Sequence, residues 1–217
     1  MVSWSSGKDS AWCLHALRSD PDVEVVGLLT TVTRAFERVS VHGTRVSVLR
    51  AQAAALGLPV REIDIPYPCG NKQYEAAMTT ALRHLAHDER ATHIAFGDLF
   101  LEDVRAYRER RLEGSGFAPL FPLWGLDTRA LAADMEGAGV QAVMVCAPES
   151  SAAAGLVGEP WSPRALDALG NVDPCGERGE FHTCVVGAPG LARLDVVVGP
   201  VIRRDGAVYA DVTLAGS

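Results

Sequence analysis

Between Val2 and Cys146, short apolar runs alternate with segments of helical spacing, and this alternation restricts the chain to few folds. Val2–Trp4 reads as the end of a first strand, and Ser10–Arg18 as a helix with Ala11, Leu14, His15 and Leu17 at helical spacing. Val23–Val32, introduced by Asp20-Pro21-Asp22, predicts a buried strand. Val46–Leu56 is alanine-rich and helical, with Gly57 where a helix C-cap is expected. Val60–Ile65 is the next strand, stopped by Pro66 and Pro68. A helix over Lys72–Leu85, a strand over Thr92–Gly97 and a helix over Asp103–Leu112 follow. Leu120–Trp124 reads as extended, Arg129–Glu136 as a helix and Val140–Cys146 as a strand. Such regular alternation predicts a doubly wound α/β fold, a parallel sheet covered by helices on both faces.

The character changes after Ala147. Residues 148–164 are rich in Gly, Pro, Ser and Ala and read as a mobile connection or lid. The tail predicts short strands, including a hairpin from Leu194–Arg203 to Ala207–Leu214 around Asp205-Gly206. The expected organisation is an α/β domain over residues 1–147 and a small substrate-binding region over residues 148–217.

Composition narrows the function classes. With 217 residues, 48% hydrophobic and 22% charged, the chain suits a packed domain and not a disordered one. A formal net charge of -7 argues against broad nucleic-acid binding, which needs a basic surface. The cluster Arg105, Arg108, Arg110 and Arg111 reads as a local basic patch or a solvated helix face. Five scattered cysteines lack the close spacing of a zinc site or redox dithiol and predict reduced thiols in a cytoplasmic protein. No stretch reads as a membrane span and no charged-then-apolar leader opens the chain.

Three polar blocks carry candidate chemistry. Ser5-Ser6-Gly7-Lys8-Asp9-Ser10 lies between a strand end and a helix start, where unpaired N–H groups and the positive dipole end favour an anion. Gly7 permits close backbone approach, Lys8 supplies a cation, and the Ser5, Ser6 and Ser10 hydroxyls can donate to phosphate. Asp9 suits orienting the loop or holding Mg²⁺. The Walker spacing is absent. In the second block, Gly97 to Glu109, Asp98 falls beyond a strand's carboxyl end. Arg105 and Arg108 share a helix face and suit phosphate or carboxylate. Surface pairing with Glu102 and Glu109 is the alternative for the arginines, and helix capping the alternative for Asp98. The third block runs from Asp173 to Thr183. If Glu180–His182 is extended, those two side chains project to one side, and with Glu177 they suit an ammonium, ammonia or a proton shuttle. Zinc binding with Cys175 and Cys184, or a plain turn with solvated acids, are the alternatives.

The first block resembles the PP-loop of the N-type ATP pyrophosphatases. Together with Gly97–Glu109, Pro122-Leu123-Trp124 followed by Asp127-Thr128, and Cys175-Gly-Glu177-Arg-Gly-Glu180-Phe-His182-Thr183, it resembles the diphthine–ammonia ligase family. Ser6 stands where that family more usually has a glycine. The alanine-, arginine- and glycine-rich composition suggests a GC-rich, bacterial source, in which the carboxylate would differ from diphthine. The resemblance implies a HUP-like doubly wound sheet and ATP with Mg²⁺. It further implies adenylation of a carboxylate with pyrophosphate release, then amide formation with ammonia. On this reading Ser5–Ser10 hold phosphates, Leu28–Thr31, Leu28 and Thr30 among them, lie near adenine or ribose, and Lys8 stabilises the leaving pyrophosphate. Asp98, Arg105 and Arg108 shape the α-phosphate site, and Glu177, Glu180 and His182 receive the acyl adenylate and ammonia. Expected partners are a small or protein-borne carboxylate and a second copy of the chain, with no membrane and no nucleic acid. A tRNA-modifying PP-loop enzyme and an ATP sensor without turnover are the alternative functions.

Overall fold

The computed structural model describes residues 1–40, 42–88 and 91–216. In chain order the elements are β1 (Val2–Ser3), α1 (Lys8–Arg18), β2 (Leu28–Thr33), β3 (Arg38–Val39), α2 (Val46–Leu56), β4 (Val60–Ile65), α3 (Asn71–Asp88), β5 (His93–Ala95), α4 (Glu102–Leu112) and β6 (Ala118–Leu120). They continue with α5 (Thr128–Gly137), β7 (Gln141–Pro148), α6 (Pro163–Asp167), β8 (His182–Gly187), β9 (Val196–Arg204) and β10 (Ala207–Leu214).

Five strands form a parallel sheet in the order β4-β2-β1-β5-β6, with short β3 antiparallel on the end of β2. Sequential strands move outward one way from β1 and then the other, so the order reverses between β1 and β5. That reversal opens a crevice at the carboxyl ends of β1 and β5, where doubly wound sheets bind ligands. Side chains alternate across the sheet. Leu28 and Val32 face Leu14, Leu17, Leu49 and Leu56 of α1 and α2, while Leu29, Ile63 and Ile94 face Leu82, Leu85 and Leu112 of α3 and α4.

The sequence places most of these elements. Gly57 caps α2 in the left-handed conformation (φ 66°), and Asp127 accepts from the Ala130 N–H at the start of α5. Four expectations need correction. Leu120–Trp124 is not extended: β6 ends at Leu120 and residues 122–125 turn, with Trp124 N–H donating to Phe121 O (3.2 Å). The second strand runs over Leu28–Thr33, because its register is set by six residues of β4 and not by the apolar run from Val23. The strand near Val140–Cys146 exists as β7 but does not extend the parallel sheet. It joins a second, antiparallel sheet of order β8-β7-β10-β9. Residues 148–164 are tied down: Gly158 N–H donates to Met144 O (2.8 Å), Trp161 N–H to Ala142 O (2.8 Å), and the buried Trp161 indole to Pro174 O (3.0 Å). The hairpin around Asp205-Gly206 is present, with Ala207 opposite Arg204.

The second sheet leans on the first unit through α2, whose Val48 packs with Val143, Val145, Cys184, Val186 and Val212. Its edge strand β8 also bonds the loop after β1, with Val185 N–H donating to Ser6 O (2.8 Å). Among the described residues no helix is long and apolar enough to cross a membrane.

Candidate functional site

Two cavities meet over the Ser5–Ser10 loop. The larger, about 420 Å³, lies under the carboxyl ends of β1, β2 and β4 against α3 and α4. Its lining is mostly apolar, including Leu29, Ile63, Met78 and Phe96, with Thr30, Asn71 and Tyr74 as polar points. The smaller, about 190 Å³, is lined by Ser5, Lys8, Asp9, Ser10, Asp98, Arg108, Glu177 and His182 among others. Ser3, Ser5, His42, Phe96 and Arg108 border both. An apolar chamber joined to a polar one is the division a nucleoside carrying phosphates requires.

The loop itself is shaped by internal bonds. Ser10 Oγ donates to Gly7 O (2.9 Å), Ser5 Oγ to Ser10 Oγ (3.3 Å), and Gly7 N–H to Ser5 Oγ (3.3 Å). Gly7 is the N-cap of α1 and offers no capping side chain, and of the first-turn amides Thr183 Oγ1 takes that of Lys8. Other amide groups of the first helical turn and the positive dipole end therefore remain for an anion. Gly97 follows β5, and a Cβ there would lie 2.9 Å from Asp9 O and 3.0 Å from Asp9 C. Only glycine lets the two crevice loops touch backbone to backbone.

Ser6 is buried at φ 69°, and its Oγ has no hydrogen-bond partner among the described residues. A left-handed residue with an orphaned hydroxyl is strained twice over. This also explains physically why glycine suits the position. Ser6→Gly is expected to stabilise the protein by about 1 kcal/mol, a rise of roughly 2–4 °C in Tm by calorimetry. A lower Tm would show that the hydroxyl has a partner.

The Lys8 side chain is used differently from the expectation that it meets phosphate. It is 1% exposed, and its ammonium donates to both Asp9 oxygens (2.9 and 3.0 Å) and to Cys175 O (2.5 Å), above the Trp161 and Phe181 rings. All three donors are taken. Its backbone N–H donates to Thr183 Oγ1 (3.2 Å). Lys8 therefore bolts the loop to the Cys175–Thr183 segment. Burial raises the Asp9 pKa and Lys8 opposes that rise.

The Asp173–Thr183 segment folds into turns before β8 begins at His182. Glu177 reaches over to the other crevice loop, where its Oε1 accepts from Leu99 N–H (2.8 Å) and Phe100 N–H (3.4 Å). Burial, then Asp9 and Asp98, lift its carboxyl to about 7 against those bonds. Glu180 departs from the expected arrangement. It accepts from Asp173 N–H (3.4 Å) and Arg178 N–H (2.9 Å) and lines neither cavity, because residues 176–180 turn instead of extending. Cys175 donates to Thr128 O (3.5 Å), and burial keeps its thiol protonated, so it packs.

Asp98 lines the smaller cavity and accepts from Arg108 Nε (3.3 Å), with the Arg108 guanidinium over Phe96. Arg105 turns away, pairing with Glu109 (2.9 Å) over Phe121 and Trp124. Leu28 is wholly buried in the core, and its neighbours Leu29, Thr30 and Thr31 line the larger cavity instead. Among the described residues no three His, Cys, Asp or Glu side chains converge as a metal site, which leaves the zinc alternative without support. Mg²⁺ usually takes one or two carboxylates plus phosphate oxygens, and Asp9 and Asp98 fit that lesser demand.

Two residues escaped the sequence reading. Gln52 of α2, wholly buried, accepts from Trp4 Nε1 (2.9 Å) and donates to Val185 O (2.7 Å) and Ser6 O (3.3 Å), joining helix, loop and β8. His42 sits 4.7 Å from His182, ring centre to ring centre, and its Nδ1–H donates to Thr183 O (3.2 Å).

Burial, then His182, lowers the His42 pKa from 6.5 to about 3, and burial with Lys8 lowers that of His182. A histidine held neutral binds fewer protons than its unfolded form below pH 6.5. The stability it contributes is complete above that pH and is lost as pH falls towards 3, by about 1.4 kcal/mol per pH unit. Glu177 acts oppositely, keeping its proton in the fold, so its contribution is lost as pH rises from 4.5 to about 7. His42→Gln, compared with the native chain by urea unfolding between pH 5 and 6.5, is expected to make the slope of stability against pH less positive by about that amount, leaving the opposing Glu177 slope more visible. Identical slopes would mean that His42 takes up a proton in the folded state.

A glycine- and serine-rich anion loop at the switch point of a doubly wound sheet, opening into an apolar chamber, defines a nucleotide-binding protein of the PP-loop type. The model of the diphthamide synthase N-terminal domain matches residues 1–119, and the chain belongs to that family. Membership makes it an ATP-using, ligase-type enzyme of the ATP pyrophosphatase class, in accord with the motif resemblance. The match contains the Ser5–Ser10 loop, Asp98 and Arg108, and ends before the Cys175–Thr183 segment. No curated protein matches the chain.

Proposed function

We propose that the enzyme adenylates a substrate carboxylate and then forms an amide with ammonia. The observation that carries this reading is the junction of the two cavities at the start of α1, whose N-cap glycine has no capping side chain. The nucleoside would occupy the larger cavity and the phosphates the smaller, with the α-phosphate near Arg108, which borders both. Mg²⁺ borne by the phosphates would neutralise their charge, with Asp9 and Asp98 as its nearest carboxylates.

A carboxylate oxygen attacks the α-phosphorus, the bond to the β-phosphate oxygen breaks, and pyrophosphate leaves from the loop. Free amides at the α1 N-terminus and the Arg108 guanidinium, which borders the same cavity, would stabilise the developing charge. Ammonia nitrogen then attacks the acyl carbon, AMP departs, and one proton is shed. Glu177, with a carboxyl that titrates near pH 7, is suited to take that proton, and His182 lines the same cavity as a neutral hydrogen-bond partner. Lys8 and Gln52 hold the geometry from beneath.

Isotope exchange between labelled pyrophosphate and ATP tests the first half-reaction. With a cellular pool of carboxylates and no ammonium, exchange is expected only when an acceptor is present. Exchange absent from every pool while ATP binds would remove the adenylation step.

A further inference from the structure

The second sheet has one edge committed to the phosphate loop through β8. Its opposite edge, β9, lies three strand positions away. Val197, Val198, Val201 and Ile202 are 54%, 37%, 51% and 51% exposed, half of the large hydrophobics exposed among the described residues. Consecutive residues are exposed here, so both faces of the edge lie bare. A long apolar edge strand left in water is a template for association.

We infer that β9 is the interface of a two-fold homodimer, whose occupant is β9 of a second copy of this chain. The strand is self-complementary about Gly199-Pro200. Reversed against itself, it lays Val197 and Val198 of one copy on Val201 and Ile202 of the other. The same superposition sets the exposed Asp195 of each copy beside Arg203 and Arg204 of its partner. Arg203 lies 3.7 Å from the exposed Glu149 and Arg204 3.2 Å from the exposed Asp205, with the Arg204 guanidinium also over the Tyr209 ring. Pro200 lacks an N–H, so an uninterrupted backbone ladder is unavailable and side chains carry the contact. An isologous contact of this kind consumes the edge in both copies and closes at two, which prevents fibre growth. The interface is independent of the ligase reading.

Light scattering during gel filtration at ~50 µM provides the test, a concentration at which a micromolar dimer is mostly assembled. The native chain is expected at about twice 23.1 kDa, and Val198→Lys/Val201→Lys as a monomer with unchanged circular dichroism. Asp195→Arg alone, and Arg203→Asp/Arg204→Asp alone, are expected to be monomeric at the same concentration. Mixing those two variants in equal amounts restores the dimer, because each charge again meets its opposite. A monomeric native chain overturns the proposal. So does a dimer indifferent to the lysine pair, or charge variants that stay monomeric when mixed. If the lysine pair fails to fold, the mixing experiment still decides.

Discussion

Replacing Lys8 by methionine is expected to lower the Tm of the ligand-free protein by about 10 °C and to cut AMP formation by more than ~100-fold. The substitution keeps an unbranched apolar stem but removes the ammonium that sits over the Trp161 and Phe181 rings and bonds Asp9 and Cys175 O. A buried charge stripped of its partner costs about 3–5 kcal/mol, and Asp9, a quarter exposed, belongs at the lower end of that range. Activity falls because Asp9 and the Glu177 segment both lose their anchor, and sub-ångström placement governs such reactions. The ligand-free measurement separates two roles for this residue. A lysine that grips phosphate would leave the Tm of the empty protein unchanged and weaken ATP binding alone. The anchor described here destabilises the protein before any nucleotide arrives.

Gly97→Ala is the second large effect. A Cβ 2.9 Å from Asp9 O meets backbone, which cannot swing aside as a side-chain tip would. Separating the two crevice loops by a few tenths of an ångström is expected to cost about 1–3 kcal/mol and ~100-fold in turnover. Gly137 supplies the control, since a Cβ at the end of α5 meets nothing within 4 Å. Gly137→Ala is expected to be neutral or to stabilise by about 0.5 kcal/mol. Denaturation curves and AMP assays of both variants check the contrast, and equal effects at the two glycines would discount the backbone contact.

The parallel sheet was legible because its evidence is local: apolar runs, a glycine C-cap at Gly57, and a strand–loop–helix around Ser5–Ser10. The second sheet was not. β7 is a continuous apolar run, a pattern a buried strand shows whether its neighbours are parallel or antiparallel. Side-chain direction was the other blind spot. Arg105 and Arg108 are three residues apart on α4, which leaves about 60° between them around the helix axis. That angle suffices to send Arg108 into the cavities and Arg105 onto Phe121 and Trp124. Glu180 and His182 would share a side only in extended chain, and the turn before β8 removes that condition. His42 and Gln52 gained their meaning from partners 141 and 133 residues away, which no local pattern announces.

The proposed cleavage of ATP between its α- and β-phosphates, which activates a carboxylate, is tested with purified protein, α-labelled ATP, Mg²⁺ and ammonium, with and without cellular carboxylates and translation factors, resolving AMP from ADP. AMP with equimolar pyrophosphate, formed only when an acceptor is present, is the predicted result. Formation of ADP, or ATP binding with no turnover under any acceptor, would contradict it.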